Sequence, residues 1–184
     1  NVVDVDFTAK PTLVGYKFIG WARTPGASTP EYTVDGTASF TMADANVTLY
    51  AVWQPLDTYP ITYNANKPAG ASGSVRYMPS NGSKTEGQDY WISQDEPYLE
   101  GYTFQGWNTT SDGNGTDYAV GAQYTDNVAL ELFAQWTAKE YTLTTLDNGL
   151  GTITVTGSTA ADADKVKYGD TLTVTIAPKA DYTT

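Results

Sequence analysis

Gly101-Tyr102-Thr103-Phe104-Gln105-Gly106-Trp107 decides how this chain is read, because it is written twice. The earlier copy is Gly15-Tyr16-Lys17-Phe18-Ile19-Gly20-Trp21, and Pro97, Leu99 and Gly101 stand 86 residues after Pro11, Leu13 and Gly15. Each copy is followed by an apolar run ending in tryptophan, Leu49-Tyr50-Ala51-Val52-Trp53 and Leu132-Phe133-Ala134-Gln135-Trp136, at an offset of 83 residues. The three-residue slip falls in the connecting loop, where insertions are tolerated. Repetition at this spacing makes the chain a row of small related modules.

Around these runs the residue choice favours strands: Thr, Val, Tyr, Phe and Trp in short stretches, separated by Gly, Asn, Asp, Pro and Ser. The expected class is β-dominated α+β, with a single weak helical candidate at Tyr118 to Tyr124. Residues 1–54 read as a module lacking its N-terminal part, and 59–137 as a complete module. Residues 139–184 read as a module cut before its closing strands, and so the least stable part. The linkers Gln54–Thr58 and Thr137–Glu140 are short, which predicts an elongated array with limited bending. Within the modules, Val3, Val5 and Phe7 alternate with polar residues, and Ala38–Met42 forms a further short element. Asn81-Gly82 predicts a hairpin between Ser74–Met78 and Asp89–Ile92. Asp147-Asn148-Gly149 predicts another between Tyr141–Thr144 and Thr152–Val155. Leu172, Val174 and Ile176 share one face of a last strand. Ala180-Asp181-Tyr182-Thr183 looks like the start of a further Gly-Tyr-x-Phe element.

Composition removes several function classes. Lys plus Arg number 10 against 21 Asp plus Glu, a net charge of −11, which disfavours binding to nucleic acid or anionic membrane. With no Cys and no His there is no disulfide, no thiolate nucleophile, no His-assisted triad and no His/Cys metal site. No signal peptide, membrane-inserting span or cofactor motif is legible, and the chain reads as a fragment of a larger multi-repeat protein.

The run from Gly101 through Trp107-Asn108-Thr109, then Asp112-Gly113-Asn114-Gly115-Thr116, then Leu132–Trp136, closely resembles the internalin B-repeat family, also called the Listeria–Bacteroides repeat. The resemblance covers Tyr59 to Thr137 well and Pro11 to Trp53 moderately. In the earlier copy, Thr24-Pro25-Gly26-Ala27-Ser28 replaces the Asp-Gly-x-Gly loop. The C-terminal segment looks like the divergent form of the repeat. The resemblance implies small β-grasp (ubiquitin-like) modules in tandem, in a secreted or wall-attached bacterial protein, serving as stalk, spacer or adhesion module. It carries across no catalytic residue. Its partners would be a host surface protein or a glycan. The other reading is a carbohydrate-binding accessory module of a larger secreted hydrolase.

The motif aromatics Tyr16, Phe18, Trp21, Leu49, Trp53, Tyr102, Phe104, Trp107, Leu132 and Trp136 are expected in the module cores, Leu49 and Leu132 being the aliphatic members of that set. Strict alternation puts Tyr102, Phe104 and Gly106 on one face of their strand and Thr103, Gln105 and Trp107 on the other. Gly20 and Gly106 are expected to mark bulges that turn the following Trp inward. Tyr90 and Trp91 lie outside the repeated motif and are the candidate partner contact. Ser111–Asp117 spaces oxygen ligands like the start of a calcium loop. Counted from Asp112, however, Asp117 and Gln123 stand where a calcium loop needs Gly and Glu, so turn chemistry is the simpler account. The pairs Asp4/Asp6 and Asp95/Glu96 are the nearest thing to paired acids, and neither has a legible cleft. Sequons occur at Asn46, Asn81, Asn108 and Asn114, in a chain so rich in Asn, Ser and Thr that chance accounts for them.

Overall fold

A computed structural model describes residues 2–5, 10–34, 38–42, 45–146 and 149–179. Phe7, Asp6, the Asp147-Asn148 part of the expected second turn, and the Ala180–Thr183 element lie outside the described residues. The chain divides into two compact units, residues 1–58 and 59–184.

In the first unit, β1 (Val2–Val5) pairs antiparallel with a later strand, β4 (Ala38–Thr41). Between them lie β2 (Tyr16–Ala22) and the two-residue β3 (Tyr32–Thr33), and β5 (Tyr50–Pro55) closes a sheet of order β3-β2-β5. Phe18 pairs with Trp53 and Gly20 with Val52, so Ile19 is left over as a bulge. Phe18 meets Trp21 at 5.2 Å and Trp53 at 5.5 Å, both edge to face.

The second unit opens with β6 (Thr58–Asn64), followed by β7 (Gly82–Thr85), β8 (Tyr90–Trp91) and β9 (Tyr102–Asn108). Then come β10 (Asp117–Tyr118), β11 (Gln123–Tyr124) and β12 (Leu130–Ala138). Five of these form one sheet of order β10-β9-β12-β6-β7, in which the first and last strands of the repeat, β6 and β12, are parallel neighbours at the centre. β8 and β11 form a separate two-stranded sheet. Alternation in β12 buries Leu130, Leu132 and Ala134 while Glu131 faces water. These residues pack with Ile61, Ile92, Trp107 and Tyr124 into the core.

The bulge recurs where the repeat predicts it. Gly106 pairs with Gln135 and Phe104 with Trp136, leaving Gln105 over. Strict alternation therefore fails here: the extra residue rotates the strand, and Trp107 lands on the same side as Phe104, their rings 5.1 Å apart. Phe104 meets Trp136 at 5.7 Å. The Phe-Trp-Trp cluster of the first unit is thus built again, edge to face throughout, from the second copy of the motif. Trp136 Nε1 donates to the Ala65 carbonyl (2.9 Å), latching the chain that leaves β6.

Other expectations are corrected. Among the described residues there is no helix: Tyr118 to Tyr124 is the end of β10, a turn closed by Ala122 N–H to the Ala119 carbonyl (3.2 Å), and β11. The Asn81-Gly82 hairpin is absent. Gly82 lies inside β7, and a Cβ there would sit 2.2 Å from the Tyr90 hydroxyl oxygen, so this glycine makes room for a ring instead of bending the chain. The turn falls at Glu86-Gly87, closed by Gln88 N–H to the Thr85 carbonyl (3.0 Å). Of Ser74–Met78, only Arg76 forms a bridge, with Tyr98. Lys84, 2% exposed, reaches across to donate to Asn127 Oδ1 (2.7 Å) and so ties β7 to the loop before β12.

The C-terminal segment contains β13 (Glu140–Thr142), β14 (Gly151–Thr156), β15 (Lys165–Lys167) and β16 (Thr173–Pro178). The expected hairpin of the first two does not form: β13 pairs with β15, and β14 with β16. A turn signal proposes a neighbour, but these pairings are made across intervening strands, where longer-range packing decides. Val174 and Ile176 remain exposed.

Candidate functional site

The structure separates Tyr90 from Trp91. Pleating points successive side chains to opposite faces. Tyr90, paired with Tyr124, packs onto the core and over Gly82. Trp91, paired with Gln123, is 63% exposed. Gln123 Nε2 donates to an Asp89 carboxylate oxygen. Asp89 is two residues before Trp91, so an indole face, an amide and a carboxylate share one side of this small sheet. That combination can stack on an apolar ring face and exchange hydrogen bonds at its rim.

Sequence reasoning missed a second aromatic feature. Tyr77, Pro97, Tyr98, Tyr102, Phe104 and Lys139 line a groove of about 380 Å³. Tyr77 is 70% exposed and has φ of 60°, a left-handed backbone unusual for an aromatic residue. The Arg76 guanidinium lies 4.7 Å from the centre of the Tyr98 ring. The residues come together through the Arg76–Tyr98 bridge, which no turn or periodicity signal announces.

The Asp112 loop is consumed by its own turn. Asp112 accepts from Thr110 Oγ1 (2.6 Å), Asn114 N–H (3.1 Å) and Asn114 Nδ2 (2.9 Å). These bonds, the Thr110 hydroxyl first, hold its carboxyl at about 2, below the usual range. The buried Asn108 completes the loop: Nδ2 donates to Asp117 Oδ1 (2.6 Å), and Oδ1 accepts from the N–H groups of Thr110 (2.8 Å) and Gly115 (3.0 Å). Among the described residues, no group of three or more acidic side chains is placed to hold a metal ion. Asp95 accepts from the Ser93 hydroxyl (3.1 Å), a local turn contact.

Of the motif residues, Phe18, Trp107 and Leu132 are buried, and Trp21, Leu49, Trp53, Tyr102, Phe104 and Trp136 are half-buried. Tyr16 is 46% exposed, because it begins β2 opposite Pro55 at the rim of its sheet. Tyr63 packs against Trp107 at 4.9 Å and accepts the Ser93 N–H at 2.9 Å. Burial pushes its phenol up to about 12. A phenol that ionises later in the folded than in the unfolded chain contributes stability that is present below pH about 10 and lost as pH rises towards about 12. Titration of tyrosinate absorbance is therefore expected to show a late component between those values, accompanied by loss of near-UV dichroism. Tyr63→Phe should remove its share of that component.

Residues 59–135 match the Listeria-Bacteroides repeat domain and residues 3–57 the divergent InlB B-repeat domain. The divergent form, expected at the C-terminal segment, is thus matched at the N-terminal one. A protein named as a Gly-rich membrane protein of Evansella cellulosilytica is 27% identical over 98% of this chain. A second, named as a membrane protein of the same organism, is 28% identical over 79%. The chain spans about a fifth of the length of these relatives, 20% and 21% respectively. No solved structure matches it significantly. Among the described residues no helix is long and apolar enough to cross a membrane.

Proposed function

Because the chain belongs, over residues 3–57 and 59–135, to the internalin B-repeat (Listeria–Bacteroides repeat) family, we propose that it is a stretch of non-catalytic repeat modules of a bacterial surface protein. The modules act as stalk or spacer and carry an adhesive face for a glycan. The observation behind the adhesive part is the exposure of Trp91, beside Asp89 and Gln123, while the tryptophans of the repeated motif are buried or half-buried. Folding consumes the repeated tryptophans, and Trp91, outside the motif, is left to contact a partner. Relatives named as membrane proteins support the surface setting. The strand order, with the first and last strands parallel at the centre, supports reading residues 59–137 as a β-grasp module.

Binding of the full chain to a panel of immobilised oligosaccharides tests this. Trp91→Ala is expected to weaken any binding about tenfold or more, roughly 1.4 kcal/mol, without moving the thermal transition. Binding that survives Trp91→Ala but is lost in Tyr77→Ala would place the contact in the Tyr98 groove. If the parent chain binds no oligosaccharide, the adhesive reading falls and a spacer remains.

A further inference from the structure

Gly101 closes the turn before β9, and its surroundings come from the C-terminal segment. Its carbonyl accepts the Lys139 N–H (2.8 Å), and the Lys139 carbonyl accepts the Tyr168 N–H (2.8 Å). These two backbone bonds bring the Tyr168 ring onto the bare Cα of Gly101, where an added Cβ would lie 2.1 Å from ring carbons. The ring also meets Tyr102 edge to face at 5.8 Å, and its hydroxyl is 3.3 Å from Ser72 Oγ. Tyr168 is itself held in place. Asp170, two residues on, accepts from the Lys167 N–H (2.8 Å), the Thr159 N–H (2.9 Å) and Thr159 Oγ1 (2.6 Å), which fixes the turn after β15.

The first unit contains the same corner. The Gly15 carbonyl accepts the Leu56 N–H (3.0 Å), and the two pairs keep the offsets of the repeat, 86 residues from Gly15 to Gly101 and 83 from Leu56 to Lys139. The glycines share their backbone conformation, φ 80° and 77°. A Cβ at Gly15 would meet nothing within 4 Å.

We propose that the Gly101-Tyr102 corner is the docking point for the segment that follows its repeat, with Tyr168 seated on Gly101. The seat needs glycine twice over, for the left-handed turn and for the ring that lies on it. Two backbone bonds, an aromatic edge contact and a hydroxyl contact at one point orient residues 139–179 on residues 59–137. Modules in tandem otherwise move relative to one another unless an interface is large. This concerns orientation within the array and is independent of whether Trp91 binds a glycan.

The two glycines supply matched variants. Gly15→Ala and Gly101→Ala impose the same backbone strain, but only the second collides with a ring. The chain has no cysteine, so spin labels at Glu131→Cys and Thr154→Cys, both exposed, report one distance across the joint. Electron–electron resonance on the full chain is expected to give a narrow distribution for the labelled parent, for Gly15→Ala and for Tyr168→Phe, which keeps the ring. Gly101→Ala and Tyr168→Ala should broaden it about twofold, as expected of modules released to move independently. Parent-like width in Tyr168→Ala, with the repeat still folded by near-UV dichroism, would overturn the proposal even if Gly101→Ala failed to fold.

Discussion

Trp107→Ala is expected to unfold the repeat of residues 59–137. Trp107 is 1% exposed and packs against Tyr63 and Phe104 at 4.9 and 5.1 Å, in a core that also contains Ile61, Ile92, Leu132 and Tyr124. Its Nε1 has no hydrogen-bond acceptor among the described residues, so its contribution is packing alone. Truncating a buried Trp costs about 3–5 kcal/mol, against a total of about 5–15 kcal/mol for a small domain. A module of this size has few other large side chains across which to spread the loss. Urea denaturation followed by far-UV dichroism should show the transition of residues 59–184 shifted to far lower denaturant, with that of residues 1–58 unmoved. Trp107→Phe should recover much of the loss, since no hydrogen bond goes with the indole. A cost below about 1 kcal/mol for the alanine variant would show that the aromatic cluster is not what holds the repeat.

Gly20→Ala should be nearly as damaging to the first unit, and much worse than Gly106→Ala at the matched position of the second. Both glycines follow the bulge residue and have left-handed φ, 145° and 126°, which costs a substituted residue roughly 1–3 kcal/mol. Their surroundings differ. A Cβ at Gly20 would be 2.1 Å from the Tyr32 carbonyl oxygen and 2.7 Å from Pro30 Cβ, and the backbone atom cannot be turned aside as a side chain can. At Gly106 the nearest atom is the Tyr118 carbonyl oxygen at 3.5 Å, an ordinary contact. Overpacking adds about 1–3 kcal/mol to the strain at Gly20 and next to nothing at Gly106. Thermal unfolding of the two variants, each judged against its own unit's transition, should rank them in that order. Equal shifts would mean that the β3 connection at Tyr32 yields more readily than its pairing with Trp21 implies.

The repeated motif made β2, β5, β9 and β12 legible, because period-two burial and a terminal Trp are local signals. The bulge was legible as a glycine before Trp. So was the inward turn of Trp107 that follows from it; what fails is strict alternation, because skipping Gln105, as Ile19 is skipped in the first unit, puts Trp107 on the Phe104 side, whereas counting residues by twos puts it opposite. Gly82 was misread because glycine has two uses, bending the chain and leaving a space, and only the position of Tyr90 distinguishes them. The pairings of β13 with β15 and of β14 with β16 were out of reach for the same kind of reason, being chosen by distant segments. At the candidate site, Trp91 stood out as an aromatic outside the motif. The groove of Tyr77 and Tyr98 depends on a single bridge between residues 22 positions apart and had no local sign.

The parallel pairing of β6 with β12 has a mechanical consequence. The chain enters the repeat at Thr58, at one end of the central pair, and leaves at Ala138, at the other. A pull on those two points runs along the strands, at right angles to unzipping. Leu130–Phe133 on Ile61–Asn64 would have to slide as a set, with every bond of the ladder strained together. The latches beyond the ladder, Trp136 Nε1 to Ala65 and Asn66 Nδ2 to the Ala134 carbonyl (3.0 Å), lie across the same line of force. A link of this kind resists tension in shear, the loading in which a short row of hydrogen bonds is strongest.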